Sequence, residues 1–213
     1  MNFNDFSKQV VKIKNLPLPG EEAHFKMAPL FREKLIKEKK QLSIAPKRAG
    51  VMALFYPDNL AQTNLLLILR KTYKGVHSNQ IGFPGGKTEL SDKDLLQTAL
   101  RETNEEVGVA EEAIDVLKKL TDVYIPPSNF LVTPFMGMYK KPKPFIIQES
   151  EVEALVEVNL TDFLNDANLI EQELSTSYAK NVRVPAFNLN NQVVWGATAM
   201  MLSEIRVLLN EVL

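Results

Sequence analysis

The sequence predicts an α/β or α+β sandwich, in which a sheet of several strands packs against at least two helices. Two apolar runs, GVMALFY at 50–56 and NLLLILR at 64–70, are typical of buried strands, and a turn-like segment separates them. Two other segments, 91–107 and 197–212, repeat their apolar residues at helical spacing. Strands mixed with packing helices indicate this class of architecture.

Further strands and a late hairpin follow from the same patterns. Strand-like segments lie at 116–124, 131–139 and 154–159, and the alternation in VRVPAF and QVVW predicts a hairpin near the end of the chain. Ser91 followed by Asp94 fits a capping box, so the first long helix is predicted to begin near Ser91. The core-facing stripe of this helix is formed by Leu96, Ala99, Leu100, Thr103 and Val107.

Residues 1–44 are predicted to form a helical extension in front of a main domain that spans 45–213. Apolar residues recur at helical spacing within 3–13, and the segment LPLPG at 16–20 ends this pattern. Residues 31–40 predict a second helix of the extension.

Composition limits the possible classes of protein. The chain has 213 residues and a formal net charge of −1, which suits one globular domain and gives no general attraction to nucleic acid or to an anionic membrane. It has no cysteine, so disulfides, thiolate metal sites and cysteine nucleophiles are excluded. The apolar run at 65–69 is too short to span a bilayer, and the first residues lack the pattern of a secretory signal. We therefore expect a cytoplasmic protein.

Three glutamates form an acidic ridge on the predicted helix. At about 100° per residue, Glu106 lies about 40° from Glu102, and Glu105 lies about 60° away on the other side. Like charges at this spacing destabilise a helix by about a few tenths of a kcal/mol per pair.

A solvated acidic face is the ordinary explanation of such a helix. The double glycine before it and the adjoining core stripe favour a site for a hard divalent cation, which takes several oxygen ligands. Arg101 can pair with Glu105 and hold the ridge in place.

The glycines and the ridge together resemble a known family. Gly85 and Gly86, followed by RETNEEVGV at 101–109, are similar to the Nudix box, G-x5-E-x7-R-E-U-x-E-E-x-G-U. The match is close from Arg101 onward. In the first half, one additional residue separates the glycines from Arg101, and Asp92 stands where the pattern has a glutamate.

The longer spacing is typical of one branch, the coenzyme A pyrophosphatases. Their signature resembles LILRKTYKGVHSNQIGFPGGK at 67–87, although this chain departs from it at Lys71, Lys74, Gly75 and Asn79. The segments FLVTPFMG, ESEVEALVEVNL and VWGATAMML further along the chain also resemble the branch.

This resemblance implies a Nudix fold, a mixed β-sheet between helices, and a metal-dependent pyrophosphatase. The implied reaction cleaves the diphosphate of coenzyme A or an acyl-CoA, with Mg²⁺ or Mn²⁺, into adenosine 3′,5′-bisphosphate and 4′-phosphopantetheine. The implied partner is a small nucleotide, not a nucleic acid or a membrane, and a homodimer is expected by analogy alone. Two alternatives stay open: the same chemistry on NADH, ADP-ribose or another nucleoside diphosphate derivative, and a non-catalytic module that binds a nucleotide.

The predicted site residues divide into metal ligands, a residue that activates water, and substrate contacts. Glu102 and Glu106 are the first expected ligands, with Glu105 third and the main-chain carbonyl of Gly86 beside them. Glu151 is the expected carboxylate outside the box, with Glu149 and Glu153 as alternatives and a solvated loop residue as the ordinary explanation. The expected substrate contacts are Arg70, His77, Lys87, Gly85 and Gly86. Arg48 and Lys71 are further candidates for the 3′-phosphate of coenzyme A, and the sequence does not identify its cationic partner.

Overall fold

The structure is a computed structural model that describes residues 1–32, 35–36, 38, 45–71, 80–174 and 181–213. Its helices are α1 (Phe3–Val10), α2 (Gly20–Phe25), α3 (Leu95–Val107), α4 (Leu160–Leu164) and α5 (Gly196–Asn210). Its strands are β1 (Lys47–Pro57), β2 (Thr63–Arg70), β3 (Ile81–Gly82), β4 (Gly85–Lys87), β5 (Asp115–Lys119), β6 (Val123–Ile125), β7 (Phe130–Met138), β8 (Val152–Asn159), β9 (Leu169–Leu174), β10 (Val182–Leu189) and β11 (Gln192–Trp195).

Strand β1 lies at the centre of a mixed sheet. It runs antiparallel to β2, with Leu54 opposite Leu66, and parallel to β7, with Ala53 opposite Met136. The strand order is β3-β2-β1-β7-β5, and β4, β6 and β8 pair with β1, β7 and β2 respectively. A separate three-stranded sheet has the order β11-β10-β9. The predicted mixed sheet is thereby confirmed.

Helices cover both faces of the large sheet, and this explains why β1 is apolar without interruption. Successive side chains of β1 enter different clusters: Val51 and Phe55 belong to one, and Met52 and Leu54 to the other. Helix α3 contributes to the cluster of Met52, and we call this side the α3 face. Helices α5 and α1 contribute to the cluster of Val51, which we call the α5 face. The predicted sandwich is confirmed.

The amino-terminal extension shares the core of the main domain. Phe6 is fully buried, and its ring centroid lies 5.1 Å from that of Phe55. Helix α2 is fixed to α5 by the buried His24, whose Nε2 lies 3.0 Å from Glu204 Oε2. Half of the residues of the helix predicted at 31–40 lie outside the described residues. Among the helices that the structure describes, none is long and apolar enough to cross a membrane.

The prediction that the first long helix begins near Ser91 is wrong. Asp94 is the N-cap, since its carboxylate accepts a hydrogen bond from the backbone N–H of Gln97 at 2.9 Å and its own backbone is extended. Helix α3 therefore begins at Leu95, one turn later than the capping-box pattern indicates.

The prediction of a single strand over 116–124 is also wrong, because two separate strands, β5 and β6, lie in this part of the chain. Between them, Thr121 donates from its N–H to Glu204 at 3.2 Å and from its hydroxyl at 2.6 Å, so its N–H is bonded to a side chain instead of a neighbouring strand. The predicted hairpin of β10 and β11 is confirmed. Asn190 and Asn191 connect these strands with positive φ angles, as tight hairpin turns require.

Candidate metal and substrate site

Two glycines let helix α3 approach the sheet more closely than any side chain would allow. A Cβ atom on Gly50 would lie 2.2 Å from the carbonyl oxygen of Leu95, and one on Gly86 would lie 2.3 Å from Glu102 Oε2. Gly50 and Gly86 are opposite each other in β1 and β4, so both face α3. The carboxylate of Glu102 consequently lies directly against the glycine loop.

Three carboxylates meet beside this loop. Oxygen atoms of Glu102, Glu106 and Glu151 lie within 4.8 Å of one another, and we call these residues the carboxylate group. Glu106 is only 1 % exposed, Glu102 is half-buried and Glu151 is exposed. The predicted ridge thus brings Glu102 and Glu106 together, and the acidic residue expected outside the box joins them.

Glu106 is held by two hydrogen-bond donors. The N–H of Gly85 donates to Oε2 at 2.8 Å, and Nη1 of Arg70 donates to Oε1 at 3.0 Å. Arg70 also donates from Nη2 to the carbonyl oxygen of Gly85 at 2.5 Å. Burial raises the pKa of Glu106 to about 7, although Arg70 and the Gly85 N–H favour the charged form. A further cation near this side chain would therefore promote its ionisation at neutral pH.

Arg101 contacts three carboxylates, one before helix α3 and two on it. Its Nε donates to Asp92 Oδ1 at 2.9 Å, and its Nη1 lies 3.0 Å from oxygens of both Glu102 and Glu105. The hydrogen bond from Arg101 holds the pKa of Asp92 well below its usual range. The predicted Arg101–Glu105 pair is confirmed. Glu105 itself lies outside the carboxylate group, and its side chain is 55 % exposed.

Backbone hydrogen bonds fix the segment that carries Glu151. The N–H of Gln148 donates to the carbonyl oxygen of Glu106 at 3.0 Å, and the N–H of Glu151 donates to that of Gln148 at 2.9 Å. The N–H of Lys71, just after β2, donates to the carbonyl oxygen of Glu151 at 2.8 Å. The segment is therefore tied both to the end of α3 and to the sheet, which explains how an exposed loop residue reaches the carboxylate group.

The residues present suit a hard divalent cation. Carboxylate oxygens are the ligands that Mg²⁺ and Mn²⁺ prefer, and the exposed Glu151 leaves one side of the group open to solvent. Burial also raises the pKa of Glu102, against the opposing effect of Arg101, so both helix glutamates lack full compensation for their charge. Glu102, Glu106 and Glu151 are the side chains that would hold such an ion.

A cavity of about 320 Å³ opens on the other side of the glycine loop. Arg70, Gly85, Gly86 and Lys87 border it where it approaches the carboxylate group. The rest of its wall is mainly apolar and is formed largely by Val51, Ile81, Phe83, Ile125, Pro127, Phe130, Val132, Trp195 and Met201. An apolar chamber with a few convergent polar groups at one end is typical of a site for a small organic ligand.

The predicted substrate contacts are largely brought together here. Arg70, Lys87 and both glycines border the cavity, whereas His77 lies outside the described residues. Glu149 and Glu153, the alternatives to Glu151, are not members of the carboxylate group. Sequence spacing does not single out Phe130 or Trp195, because an aromatic residue at a strand end gives the same apolar signal whether it faces the core or a cavity.

Fold and site together define a class of protein: an α/β enzyme whose carboxylates can hold a divalent ion beside a loop suited to phosphate. The family model described as NUDIX domain matches residues 46–176. The chain belongs to the Nudix hydrolase family, whose members use divalent metal ions. The predicted enzyme class, a Nudix pyrophosphatase, is thereby confirmed.

Relatives and solved structures agree with this assignment. The uncharacterized Nudix hydrolase NudL of Yersinia pestis (strain Pestoides F) is 33 % identical over 144 residues, which are 68 % of this chain and 71 % of that protein. The fold is similar to that of the Nudix hydrolase RenU from M. smegmatis, with a TM-score of 0.54 and 15 % identity over 79 % of this chain and 88 % of that one. It is also similar to a MutT/nudix family protein from Enterococcus faecalis, with a TM-score of 0.50 and 18 % identity over 92 % and 76 % of the two chains.

Proposed function

We propose that this protein hydrolyses the diphosphate of coenzyme A or an acyl-CoA, with Mg²⁺ or Mn²⁺, to adenosine 3′,5′-bisphosphate and 4′-phosphopantetheine. The observation that carries this proposal is the position of Arg70. Its guanidinium contacts Glu106 of the carboxylate group and also borders the cavity. A diphosphate at this point would have metal-binding carboxylates on one side and room for an attached organic group on the other.

Different residues of the chain have different roles in this reaction. Glu102, Glu106 and Glu151 would hold a divalent ion, which when bound neutralises phosphate charge and makes a coordinated water more acidic. Arg70 supplies positive charge to the diphosphate, and Lys87 supplies it to the substrate at the border of the cavity. Gly85 and Gly86 have no side chains, so the phosphates can approach the backbone closely. Glu151, the exposed member of the group, is our proposed acceptor of the proton from the attacking water, through the carboxylate oxygen that does not contact the ion.

Sequence features beyond the Nudix box support coenzyme A over other nucleotides. The segment at 67–87 supplies Arg70, Lys87 and the glycines, and it is this segment that resembles the coenzyme A branch. A second candidate is hydrolysis of NADH or ADP-ribose, which the departures from the branch signature at Lys71 and Asn79 favour. Both candidates use the same carboxylate group and differ in the group that the cavity accepts.

Identification of products separates these candidates. The full chain is incubated with coenzyme A, NADH or ADP-ribose, with Mg²⁺ and Mn²⁺ in turn, and products are identified by mass spectrometry. We expect adenosine 3′,5′-bisphosphate and 4′-phosphopantetheine, formed faster than the products from NADH or ADP-ribose. Equal or faster turnover of NADH or ADP-ribose would overturn the choice of substrate. Absence of turnover with every substrate and both ions would overturn the proposed activity.

A further inference from the structure

Lys87 and Phe130 line the cavity, and a second lysine, Lys47, lies over the ring of Phe130. In the parallel pair of β1 and β7, Lys47 is opposite Phe130, and in the antiparallel pair of β1 and β4, Ala49 is opposite Lys87. Residues opposite each other in neighbouring strands point to the same face, and so do residues two apart in one strand. Lys47, Lys87 and Phe130 therefore share the face of Ala49, which is the α5 face and lines the cavity.

Among the described residues, no nearby carboxylate neutralises the charge of these lysines. Both are exposed, and in the described part of the chain neither has a carboxylate oxygen within 4.0 Å. The ammonium of Lys47 lies instead over the ring of Phe130, 5.7 Å from its centroid, and Phe130 lines the cavity. Two unneutralised cations beside a largely apolar chamber attract an anionic part of a ligand.

The two basic residues that the sequence offers for the 3′-phosphate, Arg48 and Lys71, already have carboxylate partners. Nη2 of Arg48 lies 3.6 Å from Asp122, and the neighbours of Arg48 in β1 place it on the α3 face, away from the cavity. Nζ of Lys71 lies 3.1 Å from Glu153 Oε2, and both side chains are partly exposed. Both sequence-predicted candidates for the 3′-phosphate are thus engaged elsewhere, whereas Lys47 and Lys87 are available.

We infer that Lys47 and Lys87 bind the 3′-phosphate of the substrate's adenosine and select substrates that carry it. This inference rests on the proposed function, which places the 5′-diphosphate at the glycine loop. One ribose joins the 5′- and 3′-phosphates, so the cations for the 3′-phosphate must lie within about one sugar of the loop. Lys87 directly follows Gly86, and Lys47 lies two residues, about 7 Å, further along the neighbouring strand. NADH and ADP-ribose carry no 3′-phosphate and would leave the two lysines without a ligand.

Coenzyme A and 3′-dephospho-coenzyme A test this inference directly, because they differ only in that phosphate. The specificity ratio is kcat/KM for coenzyme A divided by kcat/KM for 3′-dephospho-coenzyme A. It is measured for the wild type, Lys47→Gln, Lys87→Gln and the double variant. We expect each substitution to lower the ratio about fivefold, the fold-change for an exposed ion pair, and the double variant to lower it about twentyfold. Lys119→Gln, an exposed lysine on β5 opposite Phe135 of the α3 face, is the matched control and should keep the wild-type ratio.

A binding measurement without metal gives a second readout that does not depend on turnover. Calorimetry compares the affinities for adenosine 3′,5′-bisphosphate and AMP, and the preference for the bisphosphate should disappear in the double variant. If the wild type prefers coenzyme A and the double variant keeps that preference, the assignment of the lysines is overturned while the proposed function stands. If the wild type treats both substrates equally, recognition of the 3′-phosphate is overturned. If it hydrolyses neither, the proposed function itself fails.

Discussion

Arg70 donates to the buried carboxylate of Glu106 at 3.0 Å, and this pair joins the two halves of the site. On one side, Glu106 belongs to the carboxylate group with Glu102 and Glu151. On the other, Arg70 borders the cavity and binds the carbonyl oxygen of Gly85. Charge at Glu106 is therefore coupled to the position of the glycine loop, and substitutions at this point affect metal binding and substrate binding together.

Removal of one negative charge from the carboxylate group should abolish most activity without unfolding the protein. Glu106→Gln keeps an oxygen that can accept from the Gly85 N–H, but it loses the charge that a divalent ion requires. We expect turnover to fall by about a hundredfold or more, together with a loss of metal affinity in calorimetry. Glu112→Gln, on the exposed turn after α3, is the control and should behave like the wild type. Unchanged turnover in the Glu106 variant would contradict the ligand assignment.

Metal affinity should depend on pH because Glu106 is protonated over part of the physiological range. Burial raises the pKa of Glu106 to about 7, so an ion must displace a proton below that pH and need not do so above it. The Kd for Mg²⁺ should rise about tenfold for each pH unit below about pH 7 and should be constant above it. Calorimetry at pH 6, 7 and 8 in buffers of different ionisation enthalpy measures both the affinity and the proton release. Arg70→Gln should move the transition to higher pH, since Arg70 favours the charged form; a Kd that stays constant with pH would contradict this account.

Two glycine substitutions should separate the role of the site from that of the fold. In Gly86→Ala the added Cβ meets the Glu102 carboxylate, which is a flexible side-chain end that can move away. We expect weaker metal binding and slower turnover with a largely unchanged midpoint of urea unfolding. In Gly50→Ala the added Cβ meets the backbone carbonyl of Leu95, so helix α3 must shift, and we expect a loss of about 2 kcal/mol or more in unfolding free energy. Equal effects of the two substitutions on stability would contradict this distinction.

The parts of the fold that sequence predicts well are those with a single strong signal. The continuous apolar run of β1 and the helical stripe of α3 both reflect burial against large surfaces, so their patterns are clear. Strand β9 reads LIEQEL and alternates exposed with half-buried positions, which leaves almost no apolar contrast to detect. The break between β5 and β6 depends on Thr121 bonding to Glu204, a residue distant in sequence, and no local pattern contains it.

The candidate site also has a part that the sequence predicts, on one helix, and a part that depends on the pairing of distant strands. Helical rotation is sufficient to bring Glu102 and Glu106 together, because one helix carries both. The same rotation makes Glu105 the third member of the predicted ridge, but it cannot show that Arg101 holds Glu105 toward solvent. Lys47 lies beside Phe130, a residue of the cavity wall, only through the parallel pairing of β1 with β7. That pairing joins segments far apart in the chain, so the sequence gives no sign of it.

The buried pair of His24 and Glu204 should make stability depend on pH. Glu204 accepts hydrogen bonds from His24 and from both donors of Thr121. Burial would raise the pKa of Glu204, but these hydrogen bonds outweigh burial and lower it. A carboxylate with a lowered pKa adds stability above its unfolded pKa, and that contribution is lost as the pH falls through its folded pKa. We therefore expect His24→Ala to reduce the unfolding free energy by about 2 kcal/mol at pH 7 and by less at pH 3, below the ordinary pKa of a glutamate.

Urea unfolding of the full chain at both pH values measures this difference. His24→Gln is the matched variant, because its amide can still donate to Glu204 while the aromatic ring is lost. It should recover part of the stability at pH 7, and the recovered part should shrink as the pH falls. A loss of the same size at pH 7 and pH 3 in His24→Ala would mean that His24 acts through packing alone. In that case the contact between α2 and α5 would depend on the packing of the His24 ring and not on the charge of Glu204.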